Sequence, residues 1–347
     1  MAGKPLGIGL IGCGDIAPTH TKALEAAESV KLVACTDVAE SSAKRLGEEC
    51  AVPWTTNVEE MLARAEVEAV TIATPAFTHL DLVSRAAKAG KAIVCEKPLA
   101  ASMEDAAGIV AAAKEAGVPL ATCFPLRYTG AADLTKELIE SGALGEVMEV
   151  RLRNLGDKKE SYWTGGFSGR TITDWRKSKQ ASGGGVIITN LIHHLDLARA
   201  ITGLEVTRVY SELGTFATEV EVEDLGAACL RYENDAVGVV EGSSCFPGSS
   251  KEADVVVAGT KGQCRFGLWS GNCEVYLREA AAGIPAQEWV TRDFEDPMHI
   301  GFYNAFAAAV RAGDTPPVTG EDGRKALEMV VAIYRSAELG QPVSLPL

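Results

Sequence analysis

Between residue 5 and residue 124, short and nearly unbroken apolar runs alternate with longer stretches that are apolar on one helical face. The runs are LGIGLIG, KLVACTD, EAVTIATP, AIVCEKP and PLATCF. The stretches between them predict helices over 17–28, 39–49, 78–89 and 102–116. Strands that are apolar throughout, each followed by a helix, form a parallel sheet covered on both sides. After residue 140 the period changes. In VMEVRLRNLG, Met148, Val150 and Leu152 alternate with Glu149, Arg151 and Arg153, the pattern of a half-buried strand. Comparable runs at 205–213, 226–232, 236–244, 253–258, 263–269 and 273–278 have no long helix between them, which predicts a mostly antiparallel second sheet. Helices over 300–312 and 320–339 close the chain and are expected to pack back near the first domain. The expected fold class is α/β: a doubly wound parallel sheet in a first domain, 1–124, and an α/β second domain, 125–347.

Two overlapping glycine patterns open the chain. Gly7, Gly9 and Gly12 lie inside the first apolar run, where they are strand residues. Gly12, Gly14 and Ala17 begin where that strand ends and the first helix opens, the placement that suits a dinucleotide. Gly12 permits the tight turn and Gly14 lets the backbone approach a pyrophosphate. The helix N-terminus, with Asp15 and Ile16 in the connecting loop, faces the phosphates. Asp37 ends the second run about 20 residues later, the usual spacing for a carboxylate that binds ribose hydroxyls. Its charge would repel a 2′-phosphate and no arginine follows at once, so the expected cofactor is NAD in preference to NADP.

The strand ends ATPAFTH (73–79) and CEKP (95–98) fall at the carboxyl edge of the same sheet, where open α/β sheets bind ligands. They add Thr74, Pro75, His79, Glu96 and Lys97 to the candidate cofactor site. Lys97 follows an apolar strand and precedes a proline that holds its backbone extended. Desolvated beside a cofactor, such a lysine has a lowered pKa and moves protons; paired with Glu96 at a strand end, it is structural. Spacing alone leaves both open.

The run GGGVIITNLIHHLD, 183–196, holds two of the five histidines. At helical spacing Thr189, His193 and Asp196 share one arc, with Asn190 and His194 on the arc beside it. Ile187, Ile188, Leu191, Ile192 and Leu195 form the apolar back. Upstream, 156–184 has no apolar period and reads as a long polar loop. Its aromatic residues Tyr162, Trp163, Phe167 and Trp175, together with Arg176, suit a sugar ring or, alternatively, an oligomer contact.

Composition narrows the partners. At 47% hydrophobic and 23% charged, 347 residues read as an ordinary globular chain of two domains. A formal charge of −14 opposes binding to nucleic acid or an anionic membrane. No apolar run approaches the roughly 20 residues that span a bilayer. The N-terminal MAGKPLGIGLIGCG reads as a strand and tight loop, not as a signal peptide. Nine scattered cysteines form no Cys-x-x-Cys pair, which argues against a zinc site or a disulfide framework and suits a reducing cytoplasm.

These stretches together resemble the Gfo/Idh/MocA family of nicotinamide-dependent sugar and polyol oxidoreductases. The resemblance runs through IGCGDIAPTH (11–20), ATPAFTHLDLVSRAAKAGKAIVCEKPLA (73–100), DWR (174–176) and GGGVIITNLIHHLDLARAITG (183–203). It continues through AGTKG (258–262) and PPVTGEDGRKALEMVVAIYRSAELGQPVSLP (316–346). It implies a Rossmann domain and a C-terminal domain with an open sheet, whose free face commonly joins subunits into a homodimer or homotetramer. It implies that Lys97 is the catalytic lysine of a Glu-Lys-Pro motif whose Lys–Pro bond is often cis, and that His193 is the catalytic histidine. Trp175 and Arg176 match a pair that borders nicotinamide and substrate. The candidate substrate-binding set is then Lys97, Arg127, Tyr162, Asp174, Arg176, Asn190, His193 and His194, with no metal.

The expected reaction is hydride transfer between a secondary hydroxyl of a sugar-like substrate and nicotinamide, with Lys97 and His193 as proton-transfer groups and Thr189 orienting. One position departs from the family. Many of its dehydrogenases carry an aspartate four residues before the histidine, where this chain has Thr189. A threonine cannot compensate a histidinium charge. That keeps open a redox-neutral enzyme (epimerase, lyase or glycosidase) that uses NAD transiently through a keto-sugar. A non-catalytic NAD sensor is the third reading, opposed by intact Lys97 and His193.

Overall fold

The computed structural model describes residues 4–347. The two apolar regimes of the sequence become two sheets. Strands β1 (Leu6–Ile11), β2 (Val30–Thr36), β3 (Trp54–Thr55), β4 (Ala69–Ile72), β5 (Ala92–Cys95) and β6 (Leu120–Thr122) form a parallel sheet in the order β3-β2-β1-β4-β5-β6. Every residue of β1, β4, β5 and β6 is buried, as a sheet covered on both faces requires. The strand order reverses beside β1, the switch point at which doubly wound sheets take their ligands.

Helices α1 (Ala17–Ala26), α2 (Glu40–Cys50), α3 (Val58–Leu62), α4 (His79–Lys88) and α5 (Met103–Ala116) connect these strands. Local sequence sets their ends. Ser102 caps α5 by accepting from the Asp105 amide, Glu104 and Asp105 occupy its positive first turn, and Gly117 stops it in the left-handed region. Helix α1 ends at Ala26, short of the expected residue 28, because Ala27 turns extended.

The second sheet has nine strands. They are β7 (Val147–Leu155), β8 (Val206–Gly214), β9 (Leu225–Tyr232), β10 (Val237–Ser243), β11 (Val255–Gly259), β12 (Gly262–Phe266), β13 (Asn272–Leu277), β14 (Trp289–Asp293) and β15 (Val343–Ser344). Their order is β14-β13-β12-β11-β7-β10-β9-β8-β15. Among the described residues β7 and β10 run parallel and the other neighbouring pairs are antiparallel. One face is buried through Val150, Leu152, Leu230, Val240, Val257 and Val275. The simple alternation expected at the start of β7 fails at Met148. The register against β11 shifts there, Ala258 facing Glu149 and Gly259 facing Val147, and Met148 is turned out to 49% exposure.

Helices α6 (Gly130–Glu140), α7 (Tyr162–Gly165), α8 (Lys179–Ser182), α9 (Ile192–Thr202), α10 (Met298–Ala312) and α11 (Gly320–Leu339) complete the chain. It divides into two compact units. One holds the chain through Cys123 together with Lys159–Gly183 and His299–Leu327; the other holds Phe124–Lys158, Gly184–Met298 and Glu328–Leu347. The first unit takes in most of the polar loop and nearly all of α10. That loop also contains α7, α8 and a 3₁₀ turn at Trp175–Lys177.

Candidate functional site

In the first unit the glycine loop is built for close approach. Gly12 has φ +97°, and a Cβ there would lie 2.6 Å from the Ala73 carbonyl oxygen. Asp37 ties the loop to the end of β2: its Oδ2 accepts from the Cys13 amide at 2.7 Å and its Oδ1 from the Ala39 amide at 2.8 Å. Helix α1 opens at Ile16 without a side-chain cap; Pro18 carries no amide hydrogen, and the Thr19 and His20 amides donate to the Ile16 carbonyl. Beside Gly14 stands the Thr171 hydroxyl, whose oxygen is buried and makes no hydrogen bond within the protein. An uncapped helix start, a glycine cradle, a buried unsatisfied hydroxyl and a ribose-type carboxylate fit a dinucleotide.

Asp15 faces the chain itself. Its carboxylate accepts from the Phe167 amide at 3.0 Å, from the Ser168 amide at 2.6 Å and hydroxyl at 2.5 Å, and from Arg176 at 3.2 Å. Burial alone would raise its pKa. The bonds from Ser168 and Phe167 and the Arg176 charge outweigh it and hold the group below the ordinary value. Asp15 thus latches the 162–176 strap onto the glycine loop. In that strap the Arg176 guanidinium lies 4.6 Å from the Trp175 ring centre and 5.5 Å from that of Tyr162. Asp174 is exposed at the start of the Trp175–Lys177 turn.

Two strand ends frame the rest. Thr74 and Thr78 share a hydroxyl hydrogen bond of 2.7 Å just after β4 and Pro75. His79 is buried with its ring set between the Thr74 and Leu99 carbonyls, at 2.9 and 3.0 Å, so it shapes both loops from behind. Burial lowers its pKa. After β5, Glu96 is buried and Lys97 half-buried, and the Lys97–Pro98 bond is cis. Burial lowers the Lys97 pKa and Arg176 adds to this, while Glu96 and Cys123 oppose it. Glu96 stays far below the usual carboxylate range: burial opposes ionisation, but His20, Lys97 and His299 more than offset it.

His20 was not singled out from the sequence, yet its Nε2 lies 3.0 Å from Glu96 Oε1. With Cys123 they place a ring nitrogen, a carboxylate oxygen and a thiol within 4.8 Å of one another. Those are donor types a soft divalent metal accepts, but in this chain His20 and Glu96 spend theirs on each other.

The second unit carries the other motif. Gly184 has φ +153°, and a Cβ on Gly185 would strike the Glu223 backbone. The Glu223 carboxylate instead takes the amides of Gly185 and Ile187 at 2.8 and 3.0 Å and the Tyr334 hydroxyl at 2.8 Å. The helix then opens with a π turn, Ile187–Leu191, before α9. This corrects the two expected arcs. Asp196 is buried and forms a two-pronged ion pair with Arg127, at 2.8 and 2.5 Å, and His194 is fully buried. Burial takes the His194 pKa down to about 4, against a smaller opposing pull from the Asn190 and Arg153 carbonyls.

Thr189, Asn190 and His193 remain part-exposed. The Thr189 hydroxyl donates to the Gly185 carbonyl at 2.6 Å and lies 3.0 Å from Asn190 Oδ1, which also accepts from Lys158 Nζ at 2.5 Å. The His193 ring meets Phe124 edge-on with centres 5.9 Å apart. Lys158 gave no signal in the sequence, since it stands in a charged run after β7.

A glycine cradle at the switch point of a doubly wound sheet, with Asp37 after β2 and Lys97 after β5, is the layout of a nicotinamide-dependent oxidoreductase. The chain belongs to the Gfo/Idh/MocA family: residues 6–124 match the family's NAD-binding Rossmann domain and residues 133–265 its C-terminal domain. It is 29% identical to D-apiose dehydrogenase of Paraburkholderia graminis, over 97% of this chain and 88% of that one. To myo-inositol 2-dehydrogenase of Thermotoga maritima it is 27% identical, over 97% and 98%. Among solved structures, the WlbA dehydrogenase of Bordetella pertussis in complex with NADH and UDP-GlcNAcA superposes with a TM-score of 0.84 at 26% identity, over 99% and 100% of the two chains.

Proposed function

We propose that the protein oxidises a secondary hydroxyl of a sugar, polyol or sugar derivative with NAD, using Lys97 and His193 as proton-transfer groups. The observation that carries this reading is Lys97 itself, an amine of lowered proton affinity fixed at the carboxyl end of β5 beside the dinucleotide cradle. When bound, nicotinamide supplies the hydride acceptor. The chain's own groups do the rest. Lys97 in its neutral form takes the hydroxyl proton, and Arg176, Tyr162 and Asp174 hold neighbouring oxygens. In the second unit, Asn190 and His193 offer further hydrogen bonds, whereas His194 is sealed and Arg127 is engaged by Asp196. The dehydrogenase names of the relatives support the substrate class.

The position before His193 supports a second reading. Thr189 brings no carboxylate, and the nearby Asn190 instead bonds a lysine. Transient oxidation, with the hydride returned after epimerisation, elimination or glycoside cleavage, fits that arrangement. A screen of sugars, polyols and glycosides that follows both NADH absorbance and product structure separates the two. Lys97→Ala is expected to cut turnover by about 10³-fold or more while NADH still binds. Near-normal turnover in that variant, or no turnover of any such compound by the wild type, overturns the proposal.

The open sheet face supports association as a homodimer or homotetramer. Tyr210, Leu225, Val237 and Trp289 are exposed on it, with Arg265 stacked 4.2 Å from the Trp289 ring centre. Nine free thiols suit a cytoplasmic setting. Among the described residues no helix is long and apolar enough to cross a membrane.

A further inference from the structure

Behind Lys97 runs a buried polar chain that the proposed chemistry leaves unused. Thr71 Oγ1 lies 2.9 Å from the Tyr303 hydroxyl, which lies 2.8 Å from His20 Nδ1. His20 Nε2 lies 3.0 Å from Glu96 Oε1, and Glu96 Oε2 accepts from the Lys97 amide at 3.0 Å. Thr71, Tyr303 and His20 have no exposed surface and Glu96 only 7%. They come from β4, α10, α1 and the end of β5, so four elements converge on one carboxylate.

One set of donors and acceptors satisfies every member. Nε2–H donates to Glu96, Nδ1 accepts from Tyr303, and the Tyr303 oxygen accepts from Thr71. A buried carboxylate without such donors would take up a proton or shift.

We propose that His20 and Tyr303 are positioning residues for Lys97: they hold the Glu96 carboxylate against the Lys97 amide, so that one fixed negative charge acts on the Lys97 amine. The proposal rests on Lys97 as the proton-transfer group. The groups that act on that amine are Glu96 at the end of β5, the Cys123 thiol after β6, Arg176 from the strap and His299 from α10. Those that act on Glu96 are His20, Lys97 and His299, with the Cys123 thiol in contact and Cys95 and Tyr303 nearby. Glu96 is the one carboxylate among them. Its anion raises the proton affinity of Lys97 against burial and Arg176. Weakening its support lowers that affinity, and because oxidation needs neutral Lys97, the acid limb of the rate profile moves to lower pH.

The test compares His20→Phe, Tyr303→Phe and His20→Gln. The pH midpoint of Lys97 amine labelling is read by peptide mass spectrometry without substrate, alongside NADH affinity, kcat and melting temperature. His20→Phe is expected to lower the midpoint by about one pH unit. It should cut kcat about tenfold or more with NADH affinity changed less than about threefold. Tyr303→Phe moves both less. His20→Gln, whose amide donates to Glu96, restores most of both. A folded His20→Phe protein with an unchanged or raised midpoint overturns the proposal; should it not fold, the same outcome in Tyr303→Phe decides. If Lys97 is not the proton-transfer group, Lys97→Ala keeps its turnover while the labelling midpoint still reports on His20, so the two failures stay separate.

Discussion

A histidine side by side with another histidine can do two unrelated things, and His193 and His194 do. One ring is part-exposed against Phe124 and the other is sealed in the core with its pKa down to about 4. The sealed ring has a consequence for stability. Unfolded, His194 takes a proton near its ordinary 6.5; folded, it resists until about 4. Its contribution is therefore intact above pH 6.5 and is lost as the pH falls towards 4, by about 3 kcal/mol at the end of that window. Melting curves between pH 7.5 and 4.5 should show wild type losing stability more steeply than His194→Gln. Equal slopes would refute the assignment. The identity of each histidine was not legible from spacing alone. The π turn and the Arg127–Asp196 pair set which face is sealed, and both depend on contacts distant in sequence.

At the scale of elements, what the sequence made legible is what short stretches control. Apolar runs and the Gly12–Gly14–Ala17 turn placed the cradle, and Ser102 and Gly117 bounded α5. The strap reads from the sequence as a polar loop with ring-binding aromatics, but 156–184 has no apolar period to predict its attachment. Asp15, far away in sequence, takes three of its hydrogen bonds, and Glu49 and Arg45 bind Arg170. Asp15→Ala should release it: amide exchange over 164–176 should rise and NADH affinity fall about tenfold or more, since charge-assisted bonds to a part-buried carboxylate are lost. Unchanged exchange would show that the strap is held by its aromatic contacts instead. The His20–Tyr303 contact had no readable signal either. The two residues are 283 positions apart, and Tyr303 lies on a helix whose apolar face accounts for it without any partner.

For the whole molecule, the second sheet leaves one face unspent, with Tyr210 and Trp289 exposed on it. Light scattering at micromolar concentration is expected to find a dimer or tetramer, and Tyr210→Asp combined with Trp289→Asp to shift it towards monomer. A monomeric wild type would remove the reason for that face. The composition of the first unit carries a different consequence. Its sheet is finished by residue 122, but its strap arrives at 159–183 and α10, with the segment that follows it, at 299–327. During synthesis the strands can pair early, yet His20 and Asp15 wait for partners that leave the ribosome much later. A nascent or truncated chain ending near residue 124 would hold a dinucleotide cradle with an unlatched Asp15 and a buried histidine lacking Tyr303. The order in which the chain emerges thus delays the Tyr303–His20–Glu96 contacts until almost the whole protein has been made.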